Sequence, residues 1–132
     1  AESLDALGTT THELFHASSA QDITPGGIPS VGLKSGDHGI DANEGMTELL
    51  KKLSLGRVEK IDDRYEFYDR DTQGNRIQLN IYEPQAKSMF VLMRNKPHLF
   101  KALFHAYYGH IPDKQLLAIA LDEFNKTMGL FS

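Results

Sequence analysis

The sequence predicts an α+β, predominantly helical fold, and three observations carry that expectation. Apolar residues recur at helical spacing in several separate segments, and one stretch between them favours strand residues around a turn-rich centre. Hydrophobic residues make up 40% and charged residues 24% of the 132, an ordinary balance for one soluble globular domain with a single core. The whole chain, 1 to 132, therefore reads as one unit, too short for two full domains.

Each element follows from its local pattern. Leu4, Leu7, Leu14 and Phe15 recur at helical spacing, with Thr11 in the same stripe, so a helix is expected from Leu4 to about Ser18. Residues 21 to 41 are dense in Gly, Pro, Ser and Asp without a sustained period and read as a long loop, a kind that is commonly functional. Asn43 to Ser54 carries Met46, Leu49, Leu50 and Leu53 on one stripe, stopped by Gly56. Tyr65 to Tyr68 and Arg76 to Tyr82 favour strand, and the turn-rich Asp69 to Asn75 between them makes one β-hairpin. The remainder reads as a C-terminal helical bundle: Pro84 to Arg94, Pro97 to Tyr108 and Asp113 to Met128, the last two separated by Gly109 and Pro112.

Composition narrows the function classes. A net charge of -4 and the lack of any Lys/Arg cluster interleaved with aromatics argue against nucleic acid as a partner. Apolar runs such as Met89 to Met93 are far too short to span a bilayer, and no signal peptide is visible, so no membrane role is expected and the compartment stays open. Oligomeric state is equally open. With no cysteine, any metal must be held by His and Asp or Glu.

The string His12-Glu13-Leu14-Phe15-His16 carries chemistry. Two histidines four residues apart on a helix point the same way, so both ring nitrogens can reach one zinc ion at about 2.0–2.1 Å. The glutamate between them is placed to take a proton from water that zinc has acidified to a pKa near about 7, and to hand it to a leaving amine. At about 100° per residue, His12, Glu13 and His16 share the face opposite the Leu4, Leu7, Leu14 and Phe15 stripe. The next helix repeats the arrangement, with Glu44 and Glu48 on one side and its apolar stripe on the other. If the two helices pack side by side, Glu44 can supply a third ligand, and Glu48 can accept a hydrogen bond from the free ring nitrogen of a ligating histidine.

In the strings HELFH and NEGMTE, His12, Glu13, His16, Glu44 and Glu48 match the pattern of the gluzincins, the thermolysin-like branch of the zincins. That pattern is HExxH followed downstream by a helical Glu with an acidic residue four places later, and the resemblance covers roughly the first 54 residues. It implies zinc (Zn2+) as cofactor, a peptide or protein as substrate, and peptide-bond hydrolysis with Glu13 as general base. Zincins usually place a β-sheet before the HExxH helix, with an edge strand that pairs with the substrate backbone. Almost nothing precedes the helix here, so the chain reads either as part of a longer protein or as a minimal version in which the hairpin near 65 to 82 supplies that strand.

Alternatives remain at several positions. In a metzincin pattern Ser19 and Asp22 would fill the last motif places, but the glycine that lets the chain turn is missing, and Asp22 ranks below Glu44 as third ligand. Asp41 and His38 could also reach a metal. Asp41 has the spacing of an N-cap with Glu44 at its third position, which would make Glu44 part of a capping box. An oxyanion donor is needed besides zinc, and the candidates are Tyr82, His38 and the group Tyr107, Tyr108, His105 and His110. Lys51-Lys52 and Asp62-Asp63 read as solvated surface, Phe100 to Tyr108 as core, and His98 as an exposed histidine at a helix start. Two other functions share the ligands: an inactive zincin-like module that binds a protein partner around a structural zinc, and a zinc hydrolase acting on a non-peptide amide.

Overall fold

The computed structural model describes residues 6–23, 29–31, 39–78, 82–111 and 113–131. Among them the chain is α+β and mostly helical: five helices, α1 (Ala6–Ser19), α2 (Gly39–Ser54), α3 (Glu83–Asn95), α4 (Pro97–Tyr107) and α5 (Lys114–Phe131), with three two-stranded antiparallel ribbons. The ribbons are β1 (Ala20–Ile23) with β2 (Pro29–Val31), β3 (Val58–Ile61) with β4 (Arg64–Phe67), and β5 (Asp69–Arg70) with β6 (Arg76–Ile77). No described helix is long and apolar enough to cross a membrane.

The core lies where α2, α3, α4 and α5 meet. Met46 and Leu49 of α2 pack with Met89 and Leu92 of α3, Leu103 of α4 and Phe124 of α5, all buried. Phe67 closes this core from β4, edge-on to Phe90 with ring centroids 5.5 Å apart. Such apolar stripes are what fix helices of this length, since isolated helices are marginal in water. At Gly45, α3 approaches so closely that a Cβ would lie 2.7 Å from the Gln85 carbonyl oxygen. That close approach keeps the α2 and α3 backbones nearly in contact, and so positions Glu44 and Glu48 relative to Tyr82 at the start of α3.

Several expectations change. The long loop contains the β1–β2 ribbon, and α2 begins at Gly39, four residues earlier than the stripe suggests. Asp41 thus sits inside the first turn rather than at the N-cap, where it accepts a hydrogen bond from the Gln85 side chain at 3.2 Å. The capping-box role for Glu44 falls with it. Tyr65 to Phe67 pairs backwards with Val58–Ile61 instead of forwards, because Asp62 adopts a left-handed φ of 55° and the chain reverses over Asp62-Asp63. Asp69–Arg70 takes the pairing with Arg76–Ile77, across a turn in which the Asp71 carboxylate accepts from the Gln73 and Asn75 amides.

The largest correction concerns α1. Leu7 and Leu14 are exposed at 60% and 63%, Leu4 lies outside the described residues, and it is the polar face, with Gly8 and His12, that is buried. Lys51 and Lys52 are buried as well, not solvated, because Asp69 arrives from β5 to neutralise them. The C-terminal helices agree with the spacing within a few residues, Gly56 and Gly109 take positive φ at helix ends, Asp62-Asp63 and His98 are exposed, and most of the Phe100 to Tyr108 stripe is core.

Candidate metal centre

The face of α1 that carries His12 and His16 packs against the Glu44 and Glu48 face of α2. Four-residue spacing on each helix stacks each pair one turn apart. Three donor atoms converge: His12 Nε2 and His16 Nε2 lie 3.1 Å apart, and Glu44 Oε2 is 3.1 Å from the first and 3.2 Å from the second. All three side chains place a ligand atom within 4.8 Å of the others. Around an ion held tetrahedrally at about 2.0–2.1 Å, donors stand about 3.3 Å apart, so this triangle has the size zinc requires. Two nitrogens and a carboxylate oxygen, with no thiolate in the chain, are also donors that zinc accepts.

Each histidine is held from behind. His12 Nδ1 lies 2.9 Å from Glu48 Oε1, which fixes the tautomer that leaves Nε2 free to ligate. His16 Nδ1 stands 3.5 Å from Thr47 Oγ1, whose hydroxyl is 2.7 Å from the Tyr107 hydroxyl and bonds the Asn43 carbonyl at 2.8 Å. Glu48 in turn faces Lys51 Nζ at 2.8 Å. Sequence reasoning does not reach Thr47 or Lys51. Thr47 falls between the two glutamates and carries no motif, while Lys51 looks like an ordinary helix-surface cation until the fold buries it.

His12 titrates far from its ordinary value. Burial would depress it, but the hydrogen bonds and charges of Glu44 and Glu48 outweigh burial and push it up to about 9 from 6.5. Burial raises Glu44 and Glu48, and their contacts with His12, His16 and Lys51 more than reverse it, so both lie below 4.5. The signs set a stability window for the metal-free protein. The His12 contribution is complete below pH 6.5 and disappears as pH rises through about 9, and those of Glu44 and Glu48 disappear as pH falls below 4.5. Urea unfolding after chelation is expected to show a lower midpoint at pH 10 than at pH 6. Equal midpoints would remove His12 from that account.

A groove of about 420 Å³ opens over the triangle and is lined by Glu13, Lys51, Thr9 and Tyr82 besides the ligand group. Comparison with family models, curated proteins and solved structures finds no match to this chain.

Glu13 is exposed and borders the groove next to His12. Tyr82, at the N-cap of α3 with a left-handed φ of 53°, stacks on the His12 ring at 5.6 Å between centroids. The Glu44 charge, aided by burial and by Glu13 and Glu48, raises its phenol above 10, so its hydroxyl remains a donor. His38 lies outside the described residues. The backbone of Asp22 falls in β1, and its side chain lies outside what is described. Of the remaining candidates, Tyr107 is buried behind Thr47, and His105, His110 and Tyr108 are absent from the groove lining.

Proposed function

We propose that this chain is a zinc-dependent hydrolase of peptide bonds, with His12, His16 and Glu44 as metal ligands and Glu13 as general base. The observation that carries the reading is the donor triangle with edges of 3.1 to 3.2 Å at the floor of an open groove that Glu13 also borders. When bound, zinc supplies Lewis acidity, polarising a carbonyl and lowering the pKa of water to about 7. Glu13 accepts the proton of the attacking water and returns it to the departing amine. Tyr82, whose ring stacks on His12 and which lines the groove, donates its hydroxyl hydrogen to the carbonyl oxygen as negative charge develops there. Glu48 holds the His12 ring in register throughout.

Metal analysis after dialysis is expected to give one zinc per chain, and an unstructured protein such as casein should be cut by the loaded form. Chelation should stop cleavage and added zinc restore it. Zinc-independent cleavage, or no zinc uptake, would overturn the reading. A second reading, an inactive zinc-holding module that docks a protein partner, is favoured by the exposed Leu7 and Leu14 of α1. It expects the same zinc uptake with no cleavage of any peptide.

A further inference from the structure

Beside the triangle lie four buried charges, Glu48, Lys51, Lys52 and Asp69, and the proposed hydrolysis gives the last three no part. Their side chains are no more than 6% exposed. Lys51 Nζ is 2.8 Å from Glu48 Oε2 and 3.6 Å from Asp69. Lys52 Nζ is 3.5 Å from Glu48 Oε2 but 2.5 Å from Asp69, and it also donates to the Tyr68 carbonyl at 2.8 Å. Each ammonium faces a carboxylate, which is the condition for keeping such groups out of water. The four are not equivalent, however. Lys51 leans on the glutamate that grips His12, whereas Lys52 leans on the ribbon that carries Asp69.

We infer that Lys51 is a positioning residue of the metal centre, acting through Glu48 on His12, while its neighbour Lys52 anchors the β5–β6 ribbon to α2 and leaves the metal alone. Glu48 presents one oxygen to each side, Oε1 to His12 at 2.9 Å and Oε2 to the Lys51 ammonium at 2.8 Å, the latter an ion pair outside hydrogen-bonding geometry, so charge holds the carboxylate between ring and ammonium. Without Lys51, Oε2 still faces Lys52 at 3.5 Å, on the Asp69 side, and the carboxylate is drawn off the imidazole. The His12 ring then loses the acceptor that fixes its tautomer and orientation. A cation acting on zinc only through its charge would do the reverse. It repels the ion, so its removal would tighten binding.

The inference rests on the zinc reading, and the sign of the effect separates it from plain electrostatics. Zinc affinity is measured by competition with a chromophoric chelator, and the melting temperature is measured on the metal-free protein. Lys51→Met is expected to weaken zinc about 10–100-fold, the usual effect of an outer-shell partner, with Lys51→Arg recovering most of the loss. Lys52→Met, which removes the same charge, is expected to keep wild-type zinc affinity and to lower the metal-free melting temperature more than Lys51→Met does. Unchanged or tighter zinc in Lys51→Met overturns the inference while the zinc reading stands. No zinc uptake by wild type overturns both. If Lys51→Met does not fold, Glu48→Gln is compared with Glu48→Gln/Lys51→Met, which deletes the buried pair without stranding a charge. Equal zinc affinity of those two supports action through Glu48, and a difference of more than about threefold overturns it.

Discussion

Replacing Glu13 with glutamine is expected to slow peptide hydrolysis about 10²–10⁴-fold while zinc content and melting temperature stay at wild-type values. The asymmetry follows from where Glu13 stands. It borders the groove yet is exposed, with its bulk outside the core, so an isosteric amide disturbs no packing. An amide also cannot accept the proton of an attacking water, so the loss falls on kcat rather than on substrate affinity. Turnover within about threefold of wild type would remove Glu13 as the base.

Glu44→Ala carries the second large effect. Among the described residues, Glu44 is the carboxylate whose oxygens reach a ring nitrogen of each histidine, at 3.1 Å from His12 and 3.1 to 3.2 Å from His16. Because outer-shell partners alone are worth about 10–100-fold in metal affinity, losing a direct ligand is expected to cost more than about 100-fold. Hydrolysis should disappear at zinc concentrations that saturate the wild type. Asp22→Ala is the control, and it should bind zinc like wild type. Were Glu44→Ala to hold zinc normally while Asp22→Ala did not, the third ligand would lie on β1 rather than on α2.

The site was legible in the sequence to the extent that it is local. Four-residue spacings in His12/His16 and Glu44/Glu48 state which side chains share a helix face, and the structure brings those two faces together. Periodicity does not state which face turns inward. For α2 the apolar stripe of Met46 and Leu49 wins and packs into the core, while for α1 the ion-paired face wins and Leu14 is left outside. Helices α3 to α5 have strong stripes and form where those stripes stand. The strand pairing was harder, since Tyr65 to Phe67 can pair forwards or backwards and the choice rests on a left-handed residue at Asp62. Val58-Glu59-Lys60-Ile61 is apolar only at its two ends and does not alternate, so period-2 patterning carries no signal for the observed ribbon. Lys51 and Lys52 had no local signal at all. Their burial depends on Asp69, 17 residues beyond Lys52.

The inverted orientation of α1 has a consequence for how the protein keeps its shape. Most helices are glued down by oil, an attraction indifferent to acid and to metal. Here the docked side consists of imidazoles against carboxylates, and leucines face outward. The grip on this helix is therefore set by protons and dissolved ions, so whatever tunes their supply also tunes whether the HExxH segment stays fastened.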